Sequence, residues 1–109
     1  MIIAVDFDGT LAIESKGLGI DMGYANLPLI QKLIEVKKKG HKLILWTCRG
    51  DEWLEEAIEW CKEYGLEFDT HNENIPGYDY INLSCKVVAD FYVDDKSPNS
   101  IQYFLNKEF

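Results

Sequence analysis

The chain has 109 residues, a hydrophobic fraction of 47% and a formal net charge of −8. This length supports one hydrophobic core, so a single domain is expected over residues 1–109, and the composition is far from that of a disordered segment. The acidic charge repels nucleic acid at long range and argues against a sequence-independent DNA-binding surface. It leaves a nucleotide substrate open, because a bound divalent cation can invert the local field.

Apolar runs rich in β-branched residues, typical of buried strands, alternate along the chain with segments of helical apolar spacing. Asn26 and Asp51 are placed to cap the first two helices. Strands separated by helices pair in parallel, so the predicted class is α/β, a three-layer Rossmann-like sandwich with a small parallel sheet. In chain order, the predicted elements are a strand over residues 1–6, a long loop over 9–25, a helix over 26–40, a strand over 42–47, a helix over 51–64, a short strand over 66–69, a strand over 89–94 and a helix that begins at 97.

Polar side chains follow three of the predicted strands at the point where each strand ends. Asp6 and Asp8 follow the first strand, Thr47 ends the second, and Asp94 and Asp95 follow the fourth. In open parallel sheets the ligand crevice lies outside the carboxyl ends of the strands. The sequence therefore predicts one site at this edge of the sheet.

The segment Asp6-Phe7-Asp8-Gly9-Thr10 places two carboxylates one residue apart. Gly9 permits the chain to bend out of the strand, because glycine tolerates backbone angles that other residues resist. Carboxylates this close repel each other unless a cation lies between them. Two aspartates alone also fit a strand followed by an Asx-rich turn, but the full string after a β-branched strand is more specific.

This segment resembles the first motif of the haloacid dehalogenase-like (HAD) hydrolases. Thr47 resembles the second motif, Lys86 the third and Tyr92-Val93-Asp94-Asp95 the fourth, in the order of that superfamily. The resemblance implies a HAD-like fold and a Mg²⁺-dependent phosphatase that hydrolyses a phosphate monoester through an aspartyl-phosphate. It also implies that Asp6 is the nucleophile and that Asp8 is the general acid and then the base.

The same resemblance implies that Mg²⁺ is the cofactor. Asp6, the backbone carbonyl of Asp8 and Asp94 would hold the cation, and Asp95 would act as a further carboxylate, directly or through water. Lys86 would hold a phosphate oxygen, although an exposed lysine before a strand is its alternative interpretation.

The remaining candidates follow the second and first strands. Thr47 would bind phosphoryl oxygen with the backbone N–H of Cys48, unless it is only a β-branched strand residue. Gly9, Thr10, Cys48 and Arg49 are candidates for substrate contact. A guanidinium suits a phosphate or a base face, whereas a surface salt bridge with a neighbouring carboxylate, Glu52 or Asp51, is the alternative for Arg49.

No segment between the motifs is long enough for a cap domain. Residues 11–25 and 70–85 cannot hold a second core, so the resemblance points to the capless type, with an open crevice. Either the substrate is large, such as a nucleic acid end, or a homo-oligomer partner or the 11–25 loop covers a small phosphorylated metabolite or nucleotide. The acidic charge favours the second alternative.

Two non-catalytic interpretations compete with the phosphatase. A receiver-like signalling module also has an acidic Mg²⁺ site, but its acidic pair follows the first strand, whereas Asp94 and Asp95 come last. A phosphate-binding protein without turnover would not need both Asp6 and Asp8.

The expected compartment is the cytoplasm, with no membrane partner. No apolar run approaches the length that crosses a bilayer, and the N-terminal residues lack the features of a signal peptide. Three cysteines without metal-site spacing argue against a disulfide framework and a structural zinc.

Overall fold

A central parallel sheet carries the elements of the fold. The computed structural model describes residues 1–14, 22–77 and 86–109. Across these ranges the strands are β1 (Ile2–Val5), β2 (Ala12–Ile13), β3 (Tyr24–Ala25), β4 (Lys42–Leu45), β5 (Thr70–His71) and β6 (Phe91–Val93). The helices of the same ranges are α1 (Leu27–Lys38), α2 (Asp51–Glu63) and α3 (Ser100–Asn106).

Four of the described strands form a sheet in the order β5-β4-β1-β6, and every pairing in it is parallel. In this register Val5 lies opposite both Leu45 and Val93, so the carboxyl ends of β1, β4 and β6 are level with one another. The predicted α/β class with a small parallel sheet is therefore confirmed. The residues that follow these three strands share one edge.

The two faces of the sheet have different covers. Alternate strand residues such as Ile3, Val5 and Leu43 form one buried cluster with apolar residues of all three described helices. The other face carries Ala4 and Ile44 in a second, smaller cluster. Within the described ranges, helices therefore cover one face only, and the second helical layer of the predicted sandwich is not found there. None of these helices is long and apolar enough to cross a membrane.

The loop predicted over residues 9–25 contains an antiparallel pair in its described part. Ala12 pairs with Ala25 and Ile13 pairs with Tyr24. The N–H of Asn26 then donates to the carbonyl of Leu11 at 2.8 Å, which brings the start of α1 against the first motif. Strands of two residues are too short to show an alternating pattern, so the sequence predicted only a loop. Part of this loop, residues 15–21, lies outside the described residues.

One of the two predicted helix caps is confirmed. Asn26 caps α1, and its side-chain oxygen accepts a hydrogen bond from the N–H of Leu29. The cap predicted at Asp51 is wrong, because Gly50 occupies the cap position without a side-chain hydrogen bond and Asp51 is the first helical residue. Asp51 instead places a negative charge in the first turn of α2, where the helix dipole favours it.

Two other boundaries differ from the prediction. The third strand is β5, Thr70–His71, rather than residues 66–69, because Leu66 and Phe68 turn into the helical core. The last helix begins at Ser100, because a turn follows β6 and the N–H of Ser97 donates to the carbonyl of Asp94 at 3.0 Å.

Candidate active site

The level strand ends create a cleft at the carboxyl edge of the sheet. The N–H of Asp6 donates to the carbonyl of Val93 and the N–H of Trp46 donates to that of Val5, both at 2.9 Å, so parallel pairing continues one residue past β1. A cavity of about 450 Å³ opens beyond these bonds. It is lined by Asp6, Asp8, Thr47, Cys48, Arg49, Trp53, Asp94, Asp95 and Lys96.

Three carboxylates in this cleft could hold a metal ion. Ligand oxygen atoms of Asp6, Asp94 and Asp95 all lie within 4.8 Å of one another. Asp6 and Asp94 are half-buried and Asp95 is exposed. The three are carboxylates that the sequence interpretation assigned to a metal. Hard divalent cations prefer such oxygen donors.

The cluster is electrostatically unfavourable without a cation. The pKa of Asp6 is raised to about 7: burial is the largest cause, the hydrogen bond from Thr10 opposes it, and the negative charges of Asp94 and Asp95 add to it. A divalent cation would offset both the desolvation and the repulsion, because it supplies the opposite charge at close range.

We predict that this raised pKa makes the metal-free protein less stable as the pH rises. Between about pH 4 and pH 7 the folded state keeps the Asp6 proton that the unfolded chain releases, so the free energy of unfolding falls across this window. We expect the wild type to lose on the order of 2 kcal/mol of unfolding free energy across this window, after allowance for the partial exposure of Asp6. Asp6→Asn mimics the protonated form and should not show this loss. Urea unfolding of both proteins in a chelator at pH 4.5 and pH 8 measures the two free energies, and an equal change with pH in both would contradict the prediction.

Thr10 links the first motif to the fourth. Its side chain is fully buried. Its hydroxyl oxygen accepts a hydrogen bond from the N–H of Asp95 at 2.9 Å, and its O–H lies 2.8 Å from Asp6 Oδ2 and 3.2 Å from Asp95 Oδ1. Thr10 therefore supports two carboxylates of the cluster from inside the fold, and the substrate contact predicted for it remains a prediction.

Gly9 allows the close approach of Asp95. Its φ of +87° lies in the region that favours glycine, and a Cβ at this position would be 2.5 Å from Asp95 Oδ2. Gly9 therefore lets the carboxylate of Asp95 lie against the backbone of the first motif, whereas the sequence interpretation listed it among the substrate contacts.

We predict that Gly9→Ala costs clearly more than a glycine substitution that strains only the backbone. Gly40 is the matched control, because its φ is +97° and a Cβ there would meet no atom within 4 Å. The free energy of unfolding should fall by about 1 kcal/mol for Gly40→Ala and by roughly 2–4 kcal/mol for Gly9→Ala, where a clash with Asp95 is added. Chemical denaturation of both variants measures the difference, and equal losses would rule out the clash.

Arg49 and Asp8 form an ion pair inside the site. Arg49 Nε lies 2.9 Å from Asp8 Oδ2 and Arg49 Nη2 lies 2.8 Å from Asp8 Oδ1. The Arg49 side chain is 2% exposed, against 20% for Asp8. The sequence interpretation offered Arg49 as a substrate contact or as a partner of Glu52 or Asp51. The pair with Asp8 joins residues 41 positions apart, and no local pattern indicates it.

The loop after β4 is fixed by a residue that the sequence interpretation missed. Asn72 Oδ1 accepts a hydrogen bond from the N–H of Thr47 at 2.8 Å, and Asn72 Nδ2 donates to the carbonyl of Arg49 at 3.2 Å. The hydroxyl of Thr47 accepts from the N–H of Arg49 at 3.1 Å. Thr47 and the exposed Cys48 both line the cleft. The phosphate contact predicted for them remains a prediction.

Two lysines, Lys96 and Lys86, are candidates to offset the charge of the acidic cluster. Lys96 lines the cleft, and its backbone N–H donates to Asp94 Oδ1 at 2.9 Å. Its position directly after Asp94 and Asp95 was the available signal, but the sequence interpretation did not use it. The ammonium of Lys86 lies 4.9 Å from the centre of the Tyr92 ring. The phosphate contact predicted for Lys86 remains a prediction.

Trp53 is the second cleft residue that the sequence interpretation missed. It lies in the first turn of α2 and is 46% exposed. Its carbonyl accepts a hydrogen bond from Arg49 Nη1 at 3.3 Å. The indole therefore stands at the rim of the cleft, on a backbone that is tied to the Arg49–Asp8 pair.

A comparison with known proteins finds a relative among solved structures. No protein-family model matches the chain, and no curated protein matches it. A solved structure, described as that of a conserved protein coded by a locus from Bacteroides thetaiotaomicron, is 38% identical in sequence with a TM-score of 0.77. The match covers 92% of this chain and 79% of that one.

Proposed function

The chain belongs to the same protein family as the conserved protein from Bacteroides thetaiotaomicron, and we propose that it is a Mg²⁺-dependent phosphatase of the haloacid dehalogenase-like type. The observation that carries the proposal is the meeting of Asp6, Asp94 and Asp95 at the carboxyl edge of a parallel sheet. Asp8 stands in the same cleft. A site for metal binding alone would not need this further carboxylate beside the cluster.

The residues present fit Mg²⁺. This cation prefers oxygen ligands and keeps several waters, so a few carboxylates at an open cleft suffice. Asp6 and Asp94 would hold it together with the backbone carbonyl of Asp8, and Asp95 would bind directly or through water. When bound, the cation neutralises charge that develops on the phosphoryl oxygens.

The side chains of the cleft supply the two halves of a hydrolysis. In the first half, a carboxylate oxygen of Asp6 bonds to phosphorus while the bond from phosphorus to the ester oxygen breaks. Asp8 gives its proton to that leaving oxygen. In the second half, a water oxygen attacks the phosphorus of the aspartyl-phosphate, Asp8 takes the water's proton, and the Asp6 carboxylate is released together with phosphate.

Cationic and polar groups around the cleft would hold the phosphate. Lys96 lies on the cleft wall beside Asp94. Thr47 and Cys48 line the same space, and the Thr47 hydroxyl and the backbone N–H of Cys48 would donate to phosphoryl oxygens. Lys86, whose ammonium lies beside the Tyr92 ring, resembles the lysine of the third motif and would add a positive charge.

The substrate class proposed is a small phosphate ester, with a nucleotide as the leading candidate. The half-exposed indole of Trp53 at the cleft rim offers a flat face on which a base or another planar ring can stack. A polynucleotide end is the second candidate, and the net charge of −8 disfavours it.

The test is phosphate release from an aryl phosphate with and without Mg²⁺, in wild type and in Asp6→Asn. We expect release that depends on Mg²⁺ in the wild type and is lost in the variant. Equal rates in the two proteins would refute the proposed function.

A further inference from the structure

The guanidinium of Arg49 is the most heavily engaged charged group of the site. Besides its two bonds to Asp8, it donates from Nη1 to the carbonyl of Trp53 at 3.3 Å and lies 3.5 Å from the sulfur of Met22 through Nη2. Its central carbon lies 5.0 Å from the centre of the Phe7 ring. One buried cation thus joins the first motif, Met22 near the start of β3 and the first turn of α2.

This environment fixes the orientation of the Asp8 carboxylate. A carboxylate held by one hydrogen bond can still rotate about its side-chain torsions. Two parallel N–H···O bonds from a planar fork define the plane of the group as well as its position. The Phe7 ring and the Trp53 carbonyl hold the fork independently of Asp8.

The Asp8 carboxylate lies on the cleft side of the ion pair. The Asp8 carboxylate is 20% exposed and lines the cleft, whereas the Arg49 side chain is 2% exposed behind it. A substrate entering the cleft therefore meets the carboxylate in front of the guanidinium.

We propose that Arg49 is a positioning residue for Asp8: its guanidinium holds the Asp8 carboxylate where it can protonate the leaving oxygen of the ester. The inference rests on the proposed function and deepens it. Arg49 acts through Asp8 and does not contact the phosphate. Lysine cannot replace it, because an ammonium lacks the planar fork that sets the carboxylate plane.

The dependence of the rate on the leaving group separates this role from a structural one. An alkyl phosphate needs its leaving oxygen protonated, whereas p-nitrophenolate leaves readily without a proton. The quantity to compare is kcat/KM, because it covers only the steps up to formation of the aspartyl-phosphate and so excludes the later action of Asp8 as a base. The variants are Arg49→Lys and, as the reference for loss of the acid, Asp8→Asn.

We expect both variants to lose about 100-fold or more in kcat/KM on the alkyl phosphate and less than about tenfold on p-nitrophenyl phosphate. Should Arg49→Lys fold poorly, Arg49→Ala with millimolar guanidinium replaces it, and added guanidinium should restore hydrolysis of the alkyl phosphate selectively. Equal losses on both esters in the Arg49 variants, or no selective rescue, would mean that Arg49 supports the fold or binds phosphate, and would overturn the inference.

The same data separate the inference from the proposed function. If Asp8→Asn discriminates between the two esters and Arg49→Lys does not, only the positioning role is wrong. If Asp8→Asn itself loses equally on both esters, the acid role of Asp8 is wrong, and the inference falls with it.

Discussion

Asp6→Asn is expected to reduce the turnover of phosphate esters by about a thousandfold or more, with little change in the fold. The amide keeps the size of the side chain and an oxygen that can accept from Thr10, so the hydrogen bond at 2.8 Å can persist. It removes the carboxylate that we propose as the nucleophile, so no aspartyl-phosphate could form at this position. Water would then have to attack the ester directly.

The measurement is initial phosphate release at saturating Mg²⁺, together with mass analysis of acid-quenched protein. Phosphate should be retained covalently by the wild type during turnover and not by Asp6→Asn. Asp90→Asn is the matched control, because the Asp90 carboxylate also holds a strand end, accepting from the N–H of Ile2 at 2.7 Å, but at the opposite edge of the sheet. Residual activity in Asp6→Asn close to that of the control would exclude Asp6 as the nucleophile.

Asp94→Asn is expected to weaken Mg²⁺ binding by roughly 100-fold and to lower activity at moderate Mg²⁺ accordingly. Asp94 is half-buried and rigidly held: its N–H donates to the Ser100 hydroxyl oxygen at 3.0 Å, and its Oδ1 accepts from the N–H of Lys96 at 2.9 Å. The amide removes one of the three charges of the cluster while preserving the shape of the loop.

The effect of Asp94→Asn on stability should have opposite signs with and without the metal. The charge of Asp94 contributes to the raised pKa of Asp6, so Asp94→Asn relieves repulsion in the metal-free protein and should raise its midpoint of thermal unfolding at pH 8. In saturating Mg²⁺ the wild type should be the more stable of the two. Glu63→Gln, which removes an exposed charge at the end of α2, is the control. Equal stabilisation of both proteins by Mg²⁺ would contradict a ligand role for Asp94.

The acidic cluster could be predicted from the sequence because its residues follow strands. Topology brings the carboxyl ends of parallel strands to one edge, so knowing that Asp6 and Asp94 end strands was enough to bring them together. The strands β1 and β4 were predictable for the same reason, since both are buried on two faces and their apolar runs are continuous.

The rest of the site depends on contacts that leave no local trace. Arg49 pairs with Asp8, which is distant in sequence, whereas the acidic residues 51 and 52 beside it in the sequence were the partners that the sequence suggested. The third strand was misplaced because Leu66 and Phe68 alternate as a strand would, although their apolar side chains serve the helical core. Asn72 resembled any polar loop residue until its two hydrogen bonds were known.

The interior position of β1 in the sheet separates the residues of the cleft that are held firmly from those that can be substituted more easily. With β4 on one side and β6 on the other, β1 can separate only if the pairings on both sides break, so we expect the amide of Asp6 to exchange slowly. The cleft walls at Trp53 and Lys96 lie in a peripheral helix and a turn. Substitutions at these two positions can therefore change the shape of the cleft while the carboxylate of Asp6 keeps its place.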